Sequence, residues 1–250
     1  MNIIWLSANT LGYELLQTAL SLPHHSISTV VTLADDAKTV MYDGVPAKRW
    51  YELDVDVKEI HDVNKEADVI KNLQPDLIVM CGWRQVLSST VLSIPPNGVI
   101  GFHPTLLPIG RGPAPIINSI LHGFTSSGVT IFYVSEGLDD GDIIGQESFI
   151  LNEQDYASDV YQKVIDAGKK LIQQYLPQLI NGTAPRIPQD ESQATVFPKL
   201  PLSNNELDIE HETIEEMYRK IRALSTPYKG AYLKKNGKKL IIWKAEMSDK

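Results

Sequence analysis

The sequence predicts an α/β protein: a Rossmann-like parallel sheet, mixed at its edge and flanked by helices, followed by a small C-terminal helix-hairpin appendage. Three observations carry that prediction. Apolar runs of strand length alternate with segments of helical periodicity through residues 1–185. Two prolines in Pro185-Arg186-Ile187-Pro188 interrupt regular structure and read as a linker. Beyond it, Asn236-Gly237 lies between two apolar stretches, the strongest short hairpin signal. The expected division is 1–185 for the sheet domain and 186–250 for the linker and a small helix/β-hairpin subdomain.

The elements follow in order. Asn2–Ser7 is short, apolar and β-branched, as a fully buried strand should be. Ala8-Asn9-Thr10 can cap a helix carrying Leu11, Leu15, Leu16, Ala19 and Leu20, which Pro23 stops. A second strand is expected over Ile27–Leu33, then an acidic, turn-rich stretch from Asp35 to Asp62, a helix near Asn64–Leu73 and a strand over Pro75–Cys81. Gly98–Phe102, Gly128–Val134 and Gly145–Leu151 are further strands. Val160, Val164, Ala167, Leu171 and Tyr175 mark a long helix that Asn181-Gly182 ends. In the tail, Thr213 and Glu216 form a capping box, and Ile214, Met217, Ile221 and Leu224 make one apolar face. Ala231–Lys235 and Lys238–Trp243 are the hairpin arms.

Composition sets the class. With 250 residues, 43% hydrophobic and 22% charged, the chain can bury a core without disulfides and is neither disordered nor fibrous. The net charge of −8 is a poor footprint for a dedicated nucleic-acid binder, although residues 195–250 carry 11 basic against 8 acidic residues. One cysteine, Cys81, excludes a disulfide framework and a cysteine-rich zinc site, and the six histidines show no ligand spacing, so no metal is expected. No signal peptide or membrane span is legible, which makes the cytoplasm the expected location.

Two clusters could carry chemistry. In Gly101–Gly112 a strand runs into a loop punctuated by prolines and glycines, which puts His103 at a carboxyl strand end, where open α/β sheets bind ligands. Histidine titrates near working pH, and Glu136–Asp142 offers carboxylates at the end of another strand. A base and an orienting carboxylate suit acyl transfer. A histidine bonded to a carbonyl and a solvated acidic turn account for the same residues equally well.

His103-Pro104-Thr105-Leu106-Leu107-Pro108 with Arg111-Gly112, then Gly128-Val129-Thr130, then Leu138-Asp139-Asp140-Gly141-Asp142, resembles the 10-formyltetrahydrofolate-dependent formyltransferase family in order and spacing. Ile221–Ala231 resembles the start of the second domain in methionyl-tRNA and sugar N-formyltransferases, so the resemblance covers nearly the whole chain. It implies a catalytic trio of an asparagine, His103 and Asp139. The asparagine position holds Gly101, a departure that removes one oxyanion donor. A substitute is expected, whether a backbone N–H, protonated His103 or Asn118; without one the protein would be slow or would only bind folate or nucleotide.

The resemblance further implies N10-formyltetrahydrofolate as co-substrate. One wall of its site would be Cys81, Gly82, Trp83, Arg84, Val86 and Leu87, the other Leu106, Asp139, Asp140 and Asp142. Val86 and Leu87 read equally well as core. Phe102, Pro104, Thr105, Arg111 and Tyr228 fall to the acceptor side. Among the acceptors used by the family, an amino-sugar nucleotide (a UDP- or dTDP-linked 4-amino-4,6-dideoxyhexose) fits the acidic chain and 56-residue tail better than methionyl-tRNA or glycinamide ribonucleotide. A homodimer is the expected assembly.

Overall fold

The computed structural model describes residues 1–39, 41–200 and 205–248. Seven strands form one sheet: β1 (Ile3–Leu6), β2 (Ile27–Leu33), β3 (Asp56–Ile60), β4 (Leu77–Met80), β5 (Val99–His103), β6 (Ser126–Tyr133) and β7 (Ile143–Ile150). Their order is β3-β2-β1-β4-β5-β6-β7. The first five pair in parallel, while β6 and β7 run antiparallel to their neighbours, so the sheet is mixed at one edge as expected. The helices are α1 (Thr10–Leu20), α2 (Ala47–Trp50), α3 (Ala67–Asn72), α4 (Ser89–Leu92), α5 (Pro115–Leu121), α6 (Ala157–Ile180) and α7 (Ile214–Leu224).

Strand alternation divides the core between the two faces of the sheet. Ile3, Trp5, Val79 and Ile100 pack with α1, α5 and α6 on one side. Ile4, Leu6, Ile78 and Val99 pack with Ile70 and Val91 on the other. The capping signals read from sequence are realised: Asn9 accepts the Gly12 N–H at 3.0 Å, and Thr213 and Glu216 cap each other's backbone.

Several elements differ from expectation, the unforeseen short helices α2 and α4 among them. The acidic stretch before Asp62 contains β3, whose alternating charges mark an edge strand rather than a turn. Pro115 opens α5, a helix not foreseen, at the position where proline's missing N–H costs nothing. The α7 face holds except in its first turn: Met217, Ile221 and Leu224 pack on the main core, but Ile214 is 60% exposed.

The C-terminal hairpin, β8 (Ala231–Lys235) and β9 (Lys238–Ile242), turns through Asn236 and Gly237, both at positive φ as a type I′ turn requires. Leu207, Ile221, Ala223, Leu224 and Ala231 complete the same core as α1 and α6, so the tail is packed on the sheet domain.

Candidate functional site

Order reverses between β1 and β4, the switch point at which such sheets leave a crevice at their carboxyl ends. Asn9 and Gly82 follow the ends of β1 and β4, and His103 is the last residue of β5. Two interstrand steps of about 4.8 Å put His103 roughly 10 Å along the sheet from the β1 end.

His103 ends β5 and is 6% exposed. Its Nε2 lies 2.8 Å from the Gly110 carbonyl, which only accepts, so Nε2 carries the proton. Nδ1 is then the free base, 3.6 Å from Asp139 Oδ2. Burial pushes the imidazole pKa below its ordinary value, against the opposing pull of Asp139 and the Gly110 carbonyl. The neutral ring therefore stands beside a carboxylate, and protonating Nδ1 completes the pair.

Asp139 sits at φ +50°, a left-handed conformation that Asp tolerates better than most residues. The Gly112 N–H donates to its Oδ2 at 2.8 Å. Asp140 accepts from Ser135, and Asp142 lies 3.9 Å from Arg186. Gly101 precedes His103 by two residues on the same face, and a Cβ built there would lie 2.9 Å from both Phe132 Cε1 and Val134 Cγ2. Asn118 is no substitute donor. It is fully buried, and its Nδ2 is spent on the carbonyls of Pro113, Ala114 and Pro198.

The segment after β4 is irregular backbone. Cys81 is buried, and burial pushes its thiol pKa up, which leaves it a small core group. Trp83 Nε1 is buried with no acceptor among the described residues, a donor that a polar heterocycle could satisfy. Arg84 reaches Asp43 at 3.4 Å. Val86 is 87% exposed, whereas Leu87 packs into the second core and belongs to the fold rather than to a pocket wall.

The acceptor-side assignments divide. Phe102 alternates to the face opposite His103 and packs on the main core, so the structure does not bring it to the site. Arg111 is 6% exposed, and its guanidinium is taken by Gln189 and Glu191, so it is an anchor rather than an open anion binder. Pro104 and Thr105 start the His103 loop. Thr105 is buried and, with Leu106 and Ile109, lines a cavity of about 360 Å³.

Tyr228 lies edge-on to Tyr42, with ring centroids 6.1 Å apart, in a second cavity of about 430 Å³. Tyr232, Lys229, Lys239, Ala114 and Ile117 also line it, and no described acidic residue does. Lys229 lies 5.3 Å from the Tyr42 ring and Lys239 3.8 Å from the Tyr232 ring. Ala114 on its wall is two residues from Gly112.

Sequence reasoning missed a polar cluster at the switch point. Asp43 is buried and accepts from Asn9 Nδ2 at 2.9 Å and from the Tyr161 hydroxyl at 2.5 Å. Burial first and the Asp43 charge second push the hydroxyl pKa values of Tyr161 and Tyr228 up. It also missed Gln189, whose Nε2 donates to the carbonyls of Asp139 and Gly141, each at 2.8 Å. No group of three or more His, Cys, Asp and Glu among the described residues could hold a metal, and no described helix is long and apolar enough to cross a membrane.

Residues 1–176 match the family described as Formyl transferase, and residues 199–250 match Formyl transferase, C-terminal domain. The chain is 38% identical over 181 residues, 72% of its length, to methionyl-tRNA formyltransferase of Halalkalibacterium halodurans; that match spans only 56% of the relative. To methionyl-tRNA formyltransferase of Carboxydothermus hydrogenoformans it is 33% identical over 258 aligned positions, covering all of this chain and 81% of that one. In fold it is similar to a sugar N-formyltransferase from Shewanella, with a TM-score of 0.79 at 22% identity, covering 100% of this chain and 99% of the other.

Proposed function

This chain belongs to the formyl transferase family, and from that premise we propose that it transfers a formyl group from N10-formyltetrahydrofolate to the primary amine of an amino-sugar nucleotide. The observation that carries the chemistry is the His103–Asp139 pair, with a free imidazole nitrogen aimed at a carboxylate. The folate, when bound, supplies an activated formyl carbon. The Trp83 indole N–H and the irregular backbone after β4 would hold its heterocycle, with Leu106, Asp140 and Asp142 expected on the other wall. His103 Nδ1 takes the proton from the attacking amine. Asp139 stabilises the imidazolium so formed, a division of labour worth roughly 10²–10⁴ in rate. With Gly101 lacking a side chain and Asn118 spent, we assign the stabilisation of negative charge on the formyl oxygen to the positive charge of that imidazolium, which then gives the proton to N10 of the folate as the formyl C–N10 bond breaks and tetrahydrofolate leaves.

The acceptor reading rests on the second cavity. In a chain of net charge −8, two lysines over tyrosine rings collect positive charge in an aromatic recess whose described lining has no acidic residue, Asp43 lying behind Tyr228. That suits a ring-bearing diphosphate better than an extended polyanion. The names of the curated relatives favour a second reading, methionyl-tRNA as acceptor. Exposed Leu240, Ile241 and Trp243 support a second copy of the chain as partner; light scattering after size exclusion tests it.

The deciding experiment offers N10-formyltetrahydrofolate with dTDP- and UDP-linked aminohexoses, methionyl-tRNA and glycinamide ribonucleotide, and follows tetrahydrofolate release. Release with an amino-sugar nucleotide alone is expected. Release with methionyl-tRNA alone would replace the acceptor assignment, and folate binding with no release under any acceptor would overturn the transfer reading.

A further inference from the structure

We propose that Gln189 is a positioning residue for the site: its amide ties the buried Arg111 guanidinium to the carbonyls of Asp139 and Gly141, and so fixes the Asp139 carboxylate against His103. The proposal rests on the reading of His103 and Asp139 as the proton-handling pair.

Arg111 is the fixed point. A guanidinium with so little exposure has to be fully partnered, and Glu191 holds it bidentately at 3.0 and 2.7 Å. Gln189 Oε1 takes the remaining face, accepting from Nε at 3.1 Å and from a terminal nitrogen at 2.8 Å. This dictates which way the amide points, because turning it over would set NH₂ against the guanidinium. Its two N–H groups therefore face away from Arg111 and meet the two carbonyls at 2.8 Å each.

Those carbonyls belong to the turn that aims the carboxylate. At φ +50° the Asp139 carbonyl leaves the direction of any strand ladder, and Gln189 supplies the donor it needs. The Gly112 N–H fixes Oδ2 from the other side. The residue is thus clamped at both ends, by its carbonyl and by its carboxylate.

The segment carrying Gln189 also holds the imidazole's partner. Thr195 Oγ1 accepts from the Gly110 N–H at 2.8 Å, the Thr195 carbonyl accepts from the Arg111 N–H at 2.9 Å, and the Phe197 N–H donates to the Arg111 carbonyl at 2.8 Å. Gly110 in turn accepts from His103 Nε2. One strap, residues 187–197, therefore sets both partners of the pair. The groups that bear on the imidazole are Asp139 and the Gly110 carbonyl, with Asp140 and the Arg111–Glu191 pair arranged around Asp139.

Gln189→Met keeps the length and removes every hydrogen bond. Gln189→Glu keeps the acceptor for Arg111 but cannot donate to the two carbonyls. The first measurement is the His103 imidazole titration by NMR, with the resonance assigned by its loss in His103→Asn. A carboxylate no longer held at Nδ1 supports the imidazolium less, so the midpoint in Gln189→Met should move to lower pH, as it should in Asp139→Asn. Where an acceptor is turned over, kcat should fall about 10- to 100-fold in both Gln189 variants with KM for the folate little changed. Melting temperature reports whether each variant folds; if Gln189→Met does not, Gln189→Leu replaces it in the titration, because the charge added by Gln189→Glu acts on the imidazole directly and that variant is read by kcat. A folded variant with an unmoved His103 midpoint overturns the proposal. The titration needs no substrate, so absence of turnover in the unsubstituted protein would count against formyl transfer and leave the positioning role to be decided by the midpoint.

Discussion

Gly101→Ala should destabilise the protein by about 2 kcal/mol, within the usual range for overpacking a filled core. Backbone freedom is not the reason for glycine here, since Gly101 is absent from the positive-φ positions of the described chain. Space is. The new Cβ would lie 2.9 Å from Phe132 Cε1, 3.1 Å from Phe132 Cζ and 2.9 Å from Val134 Cγ2, where carbon pairs prefer about 3.5–4.0 Å. Phe132 faces Gly101 across the β5–β6 ladder, is 3% exposed and packs with Leu107 and Ile143, while Val134 is stiff at χ1. Phe132 is enclosed, and Val134, though half-buried, turns away only by leaving its preferred rotamer. For a chain of this size 2 kcal/mol corresponds to a fall of about 4–8 °C in melting temperature. Phe132→Leu in the same background removes the ring carbons being struck, so a thermal-melt double-mutant cycle should show a favourable coupling of about 1 kcal/mol. Gly101→Asn should crowd the strand end beside His103 and lower turnover. A Gly101→Ala melt within about a degree of the unsubstituted protein, or strictly additive effects in the cycle, would refute the packing argument. A rise in turnover in Gly101→Asn would show that a donor role stands vacant.

His103→Asn should fold normally and lose at least about 10² in kcat, because an amide cannot take the proton; unchanged kcat would remove His103 from the chemistry. The base works unprotonated and burial lowers its pKa, so kcat/KM should rise with pH through a midpoint below the ordinary histidine value of 6.5, and a midpoint above it would contradict the buried neutral imidazole. Ile221→Asp replaces a buried contact with a carboxylate in a dry core, and should cost about 3 kcal/mol or more, read as a drop of about 6 °C or more in melting temperature. Lys229→Glu should raise KM for a nucleotide-linked acceptor while leaving folate affinity unchanged; an unchanged acceptor KM would detach the second cavity from binding.

The parts legible from sequence are those written in local patterns. β2 occupies Ile27–Leu33 as read, the Thr213–Glu216 capping box forms, and the Asn236-Gly237 hairpin closes where its turn chemistry puts it. His103 ends β5, while Asp139 lies in the β6–β7 connection, which leaves the sheet beside Ile100 and has to fold back toward His103 to bring the two together. What stayed hidden depends on partners distant in sequence. Arg111 reads as an acceptor-side residue until Glu191 and Gln189, some 80 residues on, cover it. Gln189 lies in polar, proline-flanked chain with no period, which reads as linker. The resemblance puts Phe102 on the acceptor side, but strand alternation turns it to the face opposite its neighbour His103. Ile214 fits the helical period of its face, yet it lies in the first turn of α7, out of reach of the sheet domain.

The strap also orders events during synthesis. His103 and Asp139 are 36 positions apart, but the residues that hold them in register, Gln189 to Phe197, leave the ribosome at least 50 residues after Asp139. The sheet can assemble from the nascent chain as its strands emerge, because all seven end by Ile150. The chemistry cannot, since its geometry waits on a contact that closes a long loop late. Under the positioning proposed for Gln189, a chain nicked within the strap keeps all seven strands on one piece and should lose the Asp139–His103 register, and with it turnover, before it loses its fold.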